Sequence, residues 1–168
     1  MRKCKLYALA LAIAALGGVT HMPAALAATS ITDEFLVTIT ITSTCSFSTA
    51  VADMSFGSHM STATNVPATS DFAVTCTPGT PYKIELNDGA HFSGTRRMAD
   101  DVTGTLFVPY GLYKDSAHSE SWSTIAASEE LSGSGTGAPQ ALTIYGLVPS
   151  ANYNAGSYTD TVTATITF

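Results

Sequence analysis

Basic side chains are scarce in this sequence. Its 168 residues hold 7 Lys and Arg against 13 Asp and Glu, and three of the seven, Arg2, Lys3 and Lys5, precede the first long apolar run. Beyond them only Lys83, Arg96, Arg97 and Lys114 remain, a net charge of about −9 for the rest of the chain with His neutral. A surface so acidic repels nucleic acid and anionic membranes. Arg96-Arg97 is the one basic pair, and a solvated loop is the expected place for it, with Asp100-Asp101 as an acidic turn beside it. Cysteine is scarce too, with three in all, which excludes a disulfide-dense scaffold and a cysteine-rich zinc module. A 3.6-residue apolar period is missing throughout the region after residue 27, so no amphipathic helix is expected there.

What is present begins with a leader. Leu6 to Val19 is a 14-residue apolar run behind the charged start, and Ala25-Leu26-Ala27 supplies small residues for a peptidase. The run is shorter than the ~20 residues a membrane span needs, so residues 1–27 read as a secretory signal peptide cleaved after Ala27. Cys4 lies ahead of the apolar run and would leave with it. Cys45 and Cys76 remain. In an exported chain an even cysteine count reads as a disulfide, worth roughly 3–4 kcal/mol in the chain-entropy model, with two buried thiols as the alternative.

The body of the chain alternates with period two. Phe35, Val37, Ile39 and Ile41 interleave with Leu36 and threonines, and Val162, Ala164, Ile166 and Phe168 interleave with Thr161, Thr163, Thr165 and Thr167. Alternation puts one set of side chains in a core and the other in water, and threonine is a β-branched residue suited to the wet face. Further strands are expected at 71–76, at Tyr82, Ile84 and Leu86, along one long strand through Leu106, Val108, Tyr110 and Leu112, and at 141–145. Pro78-Gly79 and Asn87-Asp88-Gly89 mark turns, and Ser132 to Gly137 reads as a flexible loop. Many short strands with regular turns indicate an all-β sandwich of one domain.

Chemistry finds little to use. His59, His91 and His118 lie far apart in sequence without metal-ligand spacing and read as exposed loop residues. No serine stands in a G-x-S-x-G elbow. Gly133-Ser134-Gly135-Thr136-Gly137 lacks the lysine and the strand-to-helix setting of a phosphate loop. The reading is of a protein that is not an enzyme, with no catalytic residue, cofactor or metal.

Both ends carry strong strand patterns, and an unpaired terminal strand is an aggregation hazard unless something pairs with it. No Lys or Pro protects 35–42. Either both strands close the sandwich within one molecule, or one is lent to a neighbour. Four segments, Val37-Thr38-Ile39-Thr40-Ile41-Thr42-Ser43-Thr44-Cys45, Phe72-Ala73-Val74-Thr75-Cys76, Val108-Pro109-Tyr110-Gly111-Leu112-Tyr113-Lys114-Asp115, and Ile144-Tyr145-Gly146-Leu147-Val148-Pro149 with Ala155-Gly156-Ser157-Tyr158-Thr159-Asp160-Thr161-Val162, resemble the spore coat protein U domain family, which includes the major pilins of archaic chaperone–usher pili. Residues 115–139 match no motif. The resemblance implies an incomplete immunoglobulin-like β-sandwich, residues 42–168, completed by a donor strand from a neighbouring subunit. Residues 28–41 would be that donor strand, with Ile31, Phe35, Val37, Ile39 and Ile41 facing the groove and Asp33 interrupting the series. Val162, Ala164, Ile166 and Phe168 would line the acceptor groove. The partners implied are identical or related pilin subunits, a periplasmic chaperone and an outer-membrane usher. The place implied is a cell-surface pilus reached through the periplasm, and the role is surface attachment and biofilm formation. The alternatives are a spore or surface coat component of the same fold, and a secreted carbohydrate-binding sandwich using Trp122, Tyr145 and Tyr153.

The cysteine reading is checked by intact mass. Non-reduced protein treated with an alkylating agent should carry no label at Cys45 or Cys76, and two added labels would contradict the bridge.

Overall fold

The computed structural model describes residues 28–123 and 129–168. The signal peptide expected over 1–27 lies outside them. The chain divides after Ile39 into two units. Of the first, residues 28–39 carry no strand or helix, and all are exposed. The strand expected from Phe35 to Thr42 is therefore unformed, because a strand exists only with a hydrogen-bonded partner.

Among the described residues the second unit holds ten strands, all paired antiparallel. They are β1 (Cys45–Thr49), β2 (Thr64–Cys76), β3 (Pro81–Leu86), β4 (Arg97–Asp100), β5 (Phe107–Pro109), β6 (Gly111–Tyr113), β7 (Leu131–Ser134), β8 (Gln140–Ser150), β9 (Tyr158–Thr159) and β10 (Ala164–Thr167). They form one sheet in the order β1-β2-β8-β6 and two three-stranded sheets, β10-β3-β7 and β5-β4-β9. The all-β expectation holds, and the disulfide joins Cys45 to Cys76 at paired positions of β1 and β2.

The alternation read from sequence sorts side chains as expected. Phe72, Val74 and Cys76 of β2 and Tyr82, Ile84 and Leu86 of β3 are all buried. Trp122 joins them from a loop, with its indole Nε1 donating to the Ile84 carbonyl at 2.9 Å and its ring 6.2 Å from that of Phe72. A buried indole N–H needs such a partner.

Four expectations need correction. Residues 132–134, expected as loop, belong to β7, which pairs Gly133 with Tyr82. A Cβ on Gly133 would lie 2.3 Å from the Tyr82 ring, so the tyrosine covers the glycine and supplies the packing that the glycine lacks. The long strand through Leu106 to Leu112 is two strands in different sheets, because β5 pairs with β4, a ladder that the Tyr110 N–H extends by donating to the Arg96 carbonyl, whereas from Gly111 onward β6 pairs with β8. β2 begins at Thr64 rather than at 71 and runs through Pro67, where β1 offers no pairing and a missing N–H is tolerated. Arg96 is no solvated loop residue. It is buried, and its guanidinium donates to the carbonyls of Leu86 and Asn87 at 2.7–3.0 Å.

Asp100 is buried as well. It fastens the turn between β4 and β5, accepting from the backbone N–H groups of Thr103, Thr105 and Leu106 at 2.7–2.9 Å. These donors, Leu106 first and Thr103 next, hold its carboxyl well below the usual range. A lowered native pKa gives stability that is complete above the unfolded value of about 3.9 and is lost as pH falls through the native one. Asp100→Asn should thus lower the urea midpoint at pH 7 and shrink the further loss between pH 7 and pH 3. An unchanged acid dependence in that variant would contradict the assignment.

Candidate functional site

An open groove runs between the segment that follows β1 and the segment that leads into β10. Two adjoining depressions of about 710 and 730 Å³ form it and share Met54, Phe56, Met98, Tyr158 and Thr159. Phe47, Met54 and Phe56 make one wall, Tyr158, Val162 and Ala164 the other, and Leu86, Leu112 and Ile144 part of the floor.

The first wall is fixed by local chemistry. Ala52 donates its N–H to the Asp71 carbonyl at 3.2 Å and accepts from the Ser70 hydroxyl, which ties the segment to β2. Met54 and Phe56 then lie directly on Gly146 of β8, where a Cβ would meet the Met54 sulfur at 2.3 Å. A larger residue at 146 would push the ends of the Met54 and Phe56 side chains aside.

The second wall has a free backbone edge. β10 pairs with β3 from Ala164↔Leu86 to Thr167↔Lys83. The pairing continues upstream, where Asn87 N–H donates to the Thr163 carbonyl at 3.0 Å and Ala90 N–H to the Thr161 carbonyl at 3.1 Å. In an antiparallel ladder the peptide groups of successive residues point to opposite sides. Thr161, Thr163, Thr165 and Thr167 thus spend theirs on β3, and Val162, Ala164 and Ile166 present theirs to the open side. Among the described residues no strand pairs there, nor on the outer side of β1. The site is a sandwich with room for one more strand. It offers an apolar strip beside an unused row of N–H and C=O groups.

One charge stands in this inward-facing series. The Asp160 side chain is 3% exposed. It accepts from Tyr110 Oη at 2.7 Å, Ala90 N at 2.9 Å and His91 N at 3.2 Å, and His91 Nδ1 lies 3.1 Å away. Gly89 permits this, since a Cβ there would lie 2.1 Å from the carboxylate. Asp160 therefore ties together the exit of β3, the β5–β6 link and the groove edge. Burial, followed by the hydrogen bond to Asp160, pushes the Tyr110 hydroxyl pKa far up, so Tyr110 stays a donor at any ordinary pH.

Of the residues expected to line the groove, Val162 and Ala164 do. Ile166 packs half-buried on the core, and Phe168 is 57% exposed at the end of the strand. The opposite wall, Phe47, Met54 and Phe56, escaped the sequence reading, as did Met98 and Tyr158. Met54-Ser55-Phe56 alternates, but over too few residues to stand out. The five expected donor side chains Ile31, Phe35, Val37, Ile39 and Ile41 are 76–94% exposed. Of the aromatics weighed for sugar binding, Trp122 is core and unavailable, Tyr145 lies in β8 and Tyr153 on the groove rim. Among the described residues no three His, Cys, Asp or Glu side chains are grouped to hold a metal. His91 is half-buried against Asp160 rather than a free loop residue.

Removing the Asp160 carboxylate leaves two backbone N–H groups and the Tyr110 hydroxyl without their acceptor. Asp160→Ala should cost about 2–3 kcal/mol in urea unfolding and Tyr110→Phe about 1 kcal/mol. Equal effects of the two, or no effect of the first, would contradict this arrangement.

Comparison with known proteins adds two findings. The Spore Coat Protein U domain family matches residues 31–165. A chain in the crystal structure of the CsuC-CsuE chaperone-tip adhesion subunit pre-assembly complex, from archaic chaperone-usher Csu pili of Acinetobacter baumannii, superposes with a TM-score of 0.57 at 24% identity. That match covers 77% of this chain and 41% of the solved one, so this chain spans less than half of its length, and the likeness is one of fold. No curated protein sequence matches.

Proposed function

The chain belongs to the Spore Coat Protein U domain family, and from that premise we propose that it is a structural pilus subunit of the chaperone–usher kind, polymerising by donor-strand complementation. The observation that carries this reading is the groove beside β10, apolar in its walls and unpaired along its edge. An extended segment with alternating apolar side chains fills such a site, because it answers the side-chain strip and the peptide row together. The chain owns a segment of that description. Ile31, Phe35, Val37, Ile39 and Ile41 fall on one side of an extended chain, and the family match begins at Ile31.

Burial of four or five such side chains is worth roughly 6–15 kcal/mol before entropic costs. Backbone pairing with Val162, Ala164 and Ile166 sets the register. A second copy is the natural source of the strand, and head-to-tail donation of this kind does not close on itself, so it builds a filament. Before assembly the open groove needs a temporary occupant, a role that fits a periplasmic chaperone, with an outer-membrane usher as the place of exchange. Related support is the description of the solved neighbour as a chaperone-tip adhesion subunit complex. On this reading the protein passes through the periplasm, ends in a cell-surface pilus, and contributes to attachment and biofilm formation.

The test is deletion of residues 28–39. The truncated subunit should still co-purify with its chaperone but form no ladder of polymers on unboiled gels. Ile39→Asp should act alike, because a carboxylate entering an apolar groove costs several kcal/mol. Thr38→Asp, on the opposite face, should be milder. A truncated protein that loses its chaperone, beside a full-length protein that is a stable chaperone-free monomer, would overturn the proposal.

A further inference from the structure

We infer that the Cys45–Cys76 bridge carries tension along the filament, from the root of one donor strand to the edge that grips the next subunit. The inference rests on strand donation as proposed above.

Tension on a donor strand enters its own domain at Cys45, the first residue of β1 and four residues beyond Ile41. β1 is a poor anchor. It is five residues long, borders only β2 among the described residues, and its ladder is interrupted between Phe47 and Thr49. The bridge leads elsewhere. Cys76 ends β2, and after the turn Thr77-Pro78-Gly79-Thr80 the chain enters β3 at Pro81. β3 is the strand paired with β10, and the outer side of β10 is the edge offered to the incoming strand. The path from donor root to acceptor edge is therefore one disulfide, one turn, one strand and one ladder. The turn itself is held, with Thr77 N–H donating to the Thr44 carbonyl at 2.9 Å, Thr44 N–H to Thr77 Oγ1 at 3.1 Å and Gly79 N–H to the Gly135 carbonyl at 2.9 Å.

The bypassed stretch is the important one. The two cysteines are separated by 31 positions, and between them lie Phe47, Met54 and Phe56, the first wall of the groove. Without the bridge, a pull at Cys45 strips β1 and then draws that wall out. The groove that holds the neighbouring strand would be dismantled by the same tension it must resist. With the bridge closed, the wall stays outside the path of tension.

The experiment stretches wild-type filaments in an optical trap before and after reduction with a phosphine and capping with iodoacetamide, with mass analysis showing two capped thiols per subunit. Oxidised filaments should lengthen without steps of this size. Reduced ones should release chain in steps of up to about 100 Å per subunit, which is 31 residues at ~3.3–3.6 Å each, and part at lower force. Identical force–extension curves would overturn the inference. So would reduced filaments that fall apart without load, since the bridge would then act on folding stability alone. A Cys45→Ala/Cys76→Ala filament, where it assembles, should reproduce the reduced curve. Wild-type subunits that never polymerise would instead overturn strand donation, and this inference with it.

Discussion

A β-strand has two rows of peptide groups, and in β10 only one of them is used. The row on the threonine side is spent on β3, while Val162, Ala164 and Ile166 offer theirs to an open groove. Buried peptide groups without partners are costly, and apolar strips of this kind rarely stay bare in a monomer. Other features of the molecule hold that edge in place.

Three polar side chains buried in the fold fix the segments around it. Asp160 holds the strand leading into β10 against the exit of β3 and against Tyr110. Arg96 caps the carbonyls at the end of β3, and Asp100 closes the turn from β4 to β5. A complete sandwich would hold its two sheets together there by side-chain packing across the middle. Where a strand is missing, hydrogen-bonded charges supply fixed geometry without a surrounding core, provided each is fully partnered. The opposite wall uses a different device, in which the bare backbone of Gly146 lets Met54 and Phe56 lie close on β8. The disulfide lies where the N-terminal segment joins β1, the point at which any pull on that segment would arrive.

Strands with long, clean alternation were legible because half-burial imposes period two directly on the residues, as at Phe72, Val74 and Cys76 or at Tyr82, Ile84 and Leu86. Strands whose partners do the work were not legible. β7 has three small residues after Leu131, and Tyr82 of its partner strand covers Gly133. The break between β5 and β6 follows from a change of partner, from β4 up to Tyr110 to β8 from Gly111, which no local spacing shows. The same limit applies at the groove. Val162 and Ala164 belong to a pattern that can be read along the chain, whereas Phe47, Met54, Phe56 and Met98 meet there only through folding.

The sequence alone determined the class of fold, the cysteine pair and the presence of an apolar alternating segment at each end of the body, since each depends on residue type and local spacing. Only the tertiary structure decided that a groove exists, which residues wall it and which peptide groups face it. Those facts are set by pairing between distant segments, where one residue's choice of neighbour fixes what the next leaves unpaired. The Asp160 carboxylate marks the difference. Along the chain it is one more acidic residue near a turn, and in the fold it joins Ala90, His91 and Tyr110 at the edge that borders the open groove.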